Sequence, residues 1–151
     1  MPNGVGFKSV VVAYDGSKDA DKAVAVACSI AAKYGSKVAI LHVFRSPSTV
    51  YAPGPGMPIP DFGDLESAAE QVGKGVLTRG LAVASKAGVT AKGELIESPS
   101  AVEAIVTFAS QERADLIILG TRGMTGFKKL VLGSVSTGVV SHAHCAVLVV
   151  R

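Results

Sequence analysis

Residues 115–120 read Asp-Leu-Ile-Ile-Leu-Gly, a short apolar run that ends in glycine. Unbroken runs of Val, Ile and Leu are typical of strands in a parallel sheet that is covered on both faces. Three similar runs occur elsewhere in the chain, and one further run is more polar, so that we expect it at an edge of the sheet. The predicted strands are, in chain order, residues 9–14, 37–44, 89–97 (the polar run), 115–120 and 146–150.

The segments between these strands carry apolar residues at spacings of three and four, which predicts helices. Ser17 is expected to cap the first helix and Gly35 to end it. Ser98 and Pro99 are expected as the cap and the first residue of the third, because proline suits a first turn. Three glycines weaken the pattern of the second. The predicted helices are residues 17–34, 64–87, 100–112 and about 134–143.

This alternation of strands and helices predicts an α/β fold, with a doubly wound five-stranded parallel sheet and helices on both faces. With the polar strand at an edge, the expected strand order is 3-2-1-4-5. A segment rich in proline and glycine, at about 46–63, is expected to be a long loop without helix, either a solvated insertion or a lid. The length of 151 residues suits one domain, 1–151.

Composition excludes several classes of function. The net charge is only +3 and no dense Lys/Arg stripe occurs, so we expect no nucleic-acid interface. Cys28 and Cys145 lack a CxxC spacing, which argues against a zinc site or a disulfide framework and fits a reducing compartment. The N-terminus lacks the apolar stretch of a signal peptide, and no run approaches the roughly 20 apolar residues that span a bilayer. We therefore expect a cytoplasmic protein without a membrane partner.

The expected ligand site lies where the winding of the sheet reverses, between strands one and four. Strand one is followed by Asp15. Strand four is followed by GTRGMTGFKKLVLGSVS, residues 120–136, in which Gly120, Gly123 and Gly133 have the spacing G-x2-G-x9-G. Glycine allows close backbone approach, and successive amides can bind an anion. We expect the amides of Gly123 and Gly133 to face phosphate.

The residues around these glycines add to the same pattern. Ser134 opens a helix, whose N-terminus favours an anion, and Arg122 and the hydroxyl of Ser136 add donors. The alternative is an ordinary glycine-rich loop that caps a helix. A P-loop, a Rossmann fingerprint after the first strand and a nucleophile elbow are all absent from the sequence.

Over essentially its whole length the sequence resembles the ATP-binding branch of the universal stress protein family. The signature G-x2-G-x9-G-[ST] of that branch stands between strand four and the last helix. Residues 14–17 (Tyr-Asp-Gly-Ser), 41–43 (Leu-His-Val) and 114–120 also match. The resemblance implies an adenine nucleotide alpha hydrolase-like fold that binds ATP with Mg²⁺, and often a homodimer. The apolar last strand, Ala146–Val150, would pair in that dimer, because an exposed apolar edge needs cover.

The resemblance also implies roles for individual residues. Ala13, Val43 and Leu119 would border adenine, and Asp15 would lie by the ribose or phosphates and could hold the metal. The full set of expected nucleotide-binding residues is Ala13, Asp15, Val43, Leu119, Gly120, Arg122, Gly123, Gly133, Ser134, Val135 and Ser136.

The sequence departs from the family pattern at two places. Ala13, one of the positions expected to border adenine, stands where some nucleotide-binding relatives have proline. His142, His144 and Cys145 stand in a turn where relatives often have prolines. Their spacing is too tight for one tetrahedral metal site, so we interpret them as a structural turn.

Three functions follow from these observations. The first is a regulatory ATP-binding module of the cellular stress response, which signals through a partner or its dimer state. The second is a slow ATPase or a nucleotide-transferring enzyme of the same fold, for which Asp15 is the one strong candidate base. The third is a nucleotide-free interaction protein, against which the intact glycine signature argues. No catalytic residue is assigned.

Overall fold

A computed structural model describes residues 6–121 and 132–151. Its strands are β1 Ser9–Ala13, β2 Lys37–Phe44, β3 Lys92–Glu97, β4 Leu116–Gly120 and β5 Ala146–Val150. They form a five-stranded parallel sheet in the order β3-β2-β1-β4-β5, which confirms the predicted α/β class and strand order. The polar strand β3 lies at one edge, as expected, and the apolar strand β5 lies at the other.

Helices cover both faces of the sheet. They are α1 Lys18–Tyr34, α2 Pro47–Val50, α3 Gly63–Lys86, α4 Ala101–Gln111 and α5 Ser134–His142. Side chains alternate along each strand, so Val10 and Val12 of β1 face the layer of α1 and α3, whereas Val11 faces α4 and α5. All three valines are fully buried. The hydrophobic core therefore has two halves, one on each face of the sheet, and helices cover the central strand β1 on both faces.

The sheet register brings two strand ends together. Val12 of β1 pairs with Ile40 of β2 on one side and with Ile118 of β4 on the other. After β1 the chain continues to β2 on one side of the sheet, and after β4 it continues to β5 on the other side. The carboxyl ends of β1 and β4 therefore form the predicted switch point.

The ends of α1 agree with the sequence. The Oγ of Ser17 accepts a hydrogen bond from the N–H of Ala20 at 3.1 Å, and Gly35 ends the helix with φ of 69°. The expected start of α4 is wrong. Its cap is Ser100, whose Oγ accepts from the N–H of Glu103 at 3.2 Å, because the hydroxyl of Ser98 is already engaged by the backbone of Ser100.

Two further boundaries differ from the prediction. Strand β3 starts at Lys92, three residues late, because the N–H of Val89 still bonds to the carbonyl of Ala84 in α3. The segment 46–63 is not free of helix, since α2 forms one short turn at its start. Pro47 occupies the first turn, where the missing N–H costs nothing. The Tyr51 ring meets the Phe62 ring edge-on at 5.4 Å and links the two ends of the segment.

Two glycines of α3 have a packing role that helical propensity does not reveal. A Cβ at Gly80 would lie 2.9 Å from the Tyr14 ring, and a Cβ at Gly73 would lie 3.1 Å from Leu95. Both glycines are buried. They let α3 lie close to the sheet, which explains why a helix of 24 residues contains residues that disfavour helix.

None of the helices within residues 6–121 and 132–151 is both long and apolar enough to cross a membrane.

Candidate functional site

A cavity of about 350 Å³ opens at the switch point, between the carboxyl ends of β1, β2 and β4 and the start of α5. Its volume lies within the range of small-molecule sites. The cavity brings together every expected nucleotide-binding residue that the structure describes. These residues are Ala13, Asp15, Val43, Leu119, Gly120, Gly133, Ser134, Val135 and Ser136. The other two, Arg122 and Gly123, lie outside the described residues.

One end of the cavity is apolar. Leu41 of β2 and Leu119 near the end of β4 are almost fully buried and line this end. Val43 lies two residues beyond Leu41 on the same face of β2, and Ala101 and Ile105 of α4 close the side. The set offers a flat aromatic group an apolar surface, as most small-molecule sites do.

The turn between β1 and α1 carries the acidic residue of the cavity. Asp15 is exposed, and its Oδ1 accepts a hydrogen bond from the N–H of Ser17 at 2.9 Å. Gly16 between them has φ of 82°, a conformation that glycine adopts without strain. The turn therefore holds the Asp15 carboxylate at the rim of the cavity.

The opposite end of the cavity is the first turn of α5. Gly133 is the cap and has no side chain to bond to the amides of that turn, and no side chain within residues 6–121 and 132–151 bonds to them. In a helix, the first amides have no acceptor within the helix. The N–H groups of Ser134, Val135 and Ser136 therefore begin α5 without an intrahelical partner, and all three residues line the cavity.

Two details of this end correct the expectation from sequence. The amide of Gly133 does not face the cavity as a free donor, because it donates to the carbonyl of Thr121 at 2.7 Å. The hydroxyl of Ser136 is not free either, since it donates to the carbonyl of Gly120 at 2.7 Å and the residue is buried. In the described part of the chain, the groups at this end that can donate to a ligand are the amides of the first turn of α5 and the exposed Ser134 hydroxyl.

Seven lining residues were not assigned to the site from sequence. Three are apolar, Leu41, Ala101 and Ile105, and four carry polar groups, Tyr14, Ser17, His42 and Thr121. His42 is a polar residue inside an apolar strand, a signal that could have been used. Its Nδ1 lies 2.8 Å from the carbonyl oxygen of Tyr14, which can only accept, so Nδ1 carries the proton. His42 thus supports the β1–α1 turn from the neighbouring strand.

Tyr14 connects that turn to α1 and α3. Its hydroxyl donates to Oδ1 of Asp21 at 2.6 Å, and Arg79 of α3 contacts the other oxygen of the same carboxylate at 2.9 Å. Burial, and then the hydrogen bond to Asp21, raise the pKa of Tyr14 well above its usual value. The phenol is therefore a neutral donor at physiological pH and holds the turn in place.

Gly120 is required by the packing at the end of β4. A Cβ there would lie 2.7 Å from Cβ of Asp19 and 3.3 Å from the backbone nitrogen of Ala20. Only a residue without a side chain lets the first turn of α1 approach β4 this closely. One motif glycine is thus explained by contact between two elements of the fold.

The histidine-containing turn makes local contacts. Nδ1 of His142 lies 2.8 Å from the carbonyl oxygen of Gly138, one turn earlier in α5. Across residues 6–121 and 132–151, no three His, Cys, Asp or Glu side chains are grouped so that they could hold a metal ion. Asp15 alone is consequently an incomplete metal site.

Comparison with known proteins connects this chain to a family. The sequence model described as "Universal stress protein family" matches residues 6–151. A universal stress protein of Thermus aquaticus, from the 3′ region of a QAH/OAS sulfhydrylase gene, is 36% identical over 149 residues. That match covers 96% of this chain and 99% of the Thermus protein.

Solved structures show the same fold. The universal stress protein UspA of Lactobacillus plantarum superposes with a TM-score of 0.80 at 24% identity, covering 98% of this chain and all of that one. A universal stress protein in complex with cAMP has a TM-score of 0.66 at 26% identity, with 97% of this chain and 98% of that one covered.

Proposed function

Since this chain belongs to the universal stress protein family, we propose that it is a cytoplasmic regulatory module of the stress response that binds ATP in the switch-point cavity. The observation that carries the proposal is the composition of that cavity. One end of the cavity is apolar, and the other is formed by the first turn of α5, whose amides have no acceptor within the helix. The carboxyl ends of β1 and β4 lie between these two ends. A related protein of known structure is in complex with an adenine nucleotide, cAMP.

In this proposal the adenine ring lies against Val43 and Leu119, and the phosphates lie at the start of α5. The partial positive charge of a helix N-terminus and three unpaired amides favour a bound anion. Gly120 and Gly133 keep the backbone accessible between the two ends. Ser134 is the exposed hydroxyl that can donate to a phosphate or to the ribose.

Mg²⁺ would arrive with the nucleotide rather than alone. Magnesium is usually bound in proteins by one or two carboxylates together with substrate phosphates and water. Asp15 offers one exposed carboxylate at the cavity rim, with one of its oxygens held by the Ser17 amide. A single hard oxygen ligand fits Mg²⁺ in company with phosphates, and it would there offset their negative charge.

A regulatory role accounts for this site better than rapid hydrolysis does. Attack on a phosphate needs a group that orients or deprotonates water. The polar side chains of the described lining are largely committed to the fold: Ser17 caps α1, Ser136 donates to Gly120, and His42 supports Tyr14. Turnover is therefore expected to stay below about 1 s⁻¹, the low end of ordinary enzymes.

Two measurements test this function. Mass analysis of ligand released from freshly purified, denatured protein should find an adenine nucleotide. Added ATP with Mg²⁺ should raise the melting temperature in line with mass action. Absence of any shift at millimolar ATP would refute nucleotide binding. Phosphate release faster than about 1 s⁻¹ would instead favour the enzyme.

We also propose a homodimer through β5. This strand is apolar throughout, pairs only with β4 among the described strands, and leaves Leu148 37% exposed. Antiparallel pairing with a second copy would cover the edge symmetrically. Light scattering should give about twice the 15.3 kDa of the chain, and Leu148→Lys should weaken the dimer. A monomer at high micromolar concentration would contradict this proposal.

A further inference from the structure

Thr121, the first residue after β4, is held by hydrogen bonds in three directions. Its N–H donates to the carbonyl of Val150 at 2.9 Å, and its carbonyl accepts from the N–H of Gly133 at 2.7 Å. Its Oγ1 donates to Oδ2 of Asp19 at 3.0 Å. The residue is 7% exposed and lines the cavity. It thus joins β5, α5 and α1 at the cavity wall.

The side-chain bond to Asp19 is the one contact of the three that depends on residue type. Asp19 lies in the first turn of α1, its side chain is only 12% exposed, and it also forms an ion pair with Lys22 at 4.0 Å. A hydroxyl that donates to a carboxylate makes a strong, charge-assisted hydrogen bond. Residues 19 and 121 are far apart in sequence, so this bond ties α1 directly to the chain that leaves β4.

The carbonyl of Thr121 in turn places the start of α5. It accepts from the Gly133 amide, and the Ser136 hydroxyl lies 3.4 Å from it while donating to Gly120. The same residue is bonded to Asp19 through its Oγ1. Thr121 therefore links the first turn of α1 to Gly133, the residue that caps α5.

We propose that Asp19 and Thr121 are a positioning pair that sets the affinity of the cavity for phosphate groups. The inference rests on the proposed nucleotide function and adds to it. Neither side chain needs to touch the ligand, because the pair acts through the placement of the α5 amides. Binding through misplaced donors is weaker, since the site must reorganise before it can bind. The pair should consequently affect ligands that carry phosphates and leave adenosine binding unchanged.

The test compares ATP with adenosine in matched variants by calorimetric titration. Thr121→Val keeps the branched shape and both backbone bonds but removes Oγ1. Thr121→Ser restores the hydroxyl. Thr107→Val makes the same change at an exposed position of α4 outside the cavity. We expect Thr121→Val to weaken ATP binding about tenfold, the scale of one hydrogen bond to a charged group. Adenosine should change less than twofold, Thr121→Ser should bind like the parent, and Thr107→Val should change neither ligand.

Equal weakening of ATP and adenosine, or no weakening of either, would overturn the positioning role while leaving nucleotide binding in place. If the parent protein itself binds no nucleotide, the proposed function fails, and this inference fails with it. Should Thr121→Val not fold, Thr121→Ala removes the same hydroxyl without placing a methyl group in its position. It should again lower ATP affinity selectively.

Discussion

Helices α1 and α5 both begin at the carboxyl edge of the sheet, beside the same cavity, and their first turns differ. The Oγ of Ser17 caps α1, and Asp19 and Asp21 place negative charge in its first turn. The first turn of α5, which the structure describes in full, follows Gly133 and has neither a side-chain cap nor an acidic residue. Each helix start has the same need for hydrogen-bond acceptors and negative charge.

The difference shows which of the two starts can take a ligand. The chain itself supplies the cap and the negative charge of α1, so little is left for an anion to stabilise there. The cap and first turn of α5 supply neither a side-chain acceptor nor a negative charge, so a bound anion can supply both. With glycine as its cap, the start of α5 is only about a few tenths of a kcal/mol less stable than a start capped by a side chain, and a bound phosphate would more than offset this.

The largest expected effect comes from making α5 resemble α1. Gly133→Asp supplies both a cap and a negative charge, so its carboxylate competes for the amides that we assign to phosphate. We expect ATP affinity to fall by about 2–3 kcal/mol, roughly 30- to 150-fold, with the fold retained. Calorimetric titration measures the affinity and circular dichroism the fold.

Gly133→Ser is the matched control. Its Cβ meets the same Thr121 carbonyl, 3.0 Å away, and it also caps the helix, but it adds no charge. Its loss of affinity should be clearly smaller than that of Gly133→Asp. If both variants lost affinity equally, crowding rather than charge would explain the effect. If Gly133→Asp folded and bound ATP like the parent, α5 would not be the phosphate end.

A second expected effect comes from pushing α1 away from β4. In Gly120→Ala the added Cβ would lie 2.7 Å from Asp19 and would contact the backbone of the first turn of α1. Overpacking of this kind costs about 1–3 kcal/mol of unfolding free energy. Urea denaturation should show the loss. A variant as stable as the parent would mean that the start of α1 can move freely and is not a rigid part of the cavity.

The smallest expected effect is the loss of the α1 cap. Ser17→Ala removes the acceptor for the Ala20 amide and should lower the unfolding free energy by about 1 kcal/mol. Ser134→Ala, at the first residue of uncapped α5, should change stability much less. Chemical denaturation of the two variants side by side checks this. Equal losses in both would remove the contrast between the two helix starts.

The fold and the place of the site could be predicted because both depend on pattern. The alternating apolar runs predict the sheet order, and parallel topology brings Asp15 and Gly133 to one edge. The pairing of individual polar groups could not be predicted in this way. The Gly133 amide, the Ser136 hydroxyl and the Thr121 side chain find partners on other elements. Such pairings depend on distances that only the packed structure supplies.

The local errors have the same origin. Ser98 and Ser100 are both good caps by residue type, and only the bond between them decides which one caps α4. The glycines of α3 were interpreted as helix-weakening residues. In the folded protein, Gly80 is the residue that lets α3 pass the ring of Tyr14.

The most direct test of the contrast between the two helix starts is amide NMR of the labelled protein during titration with ATP and Mg²⁺. We expect large shifts for the amide protons of Ser134, Val135 and Ser136, because they gain a charged acceptor. The amide of Ala20, already bonded to Ser17, should hardly move. Saturating ATP that leaves the three α5 amides unmoved would contradict the assignment of α5 as the phosphate end.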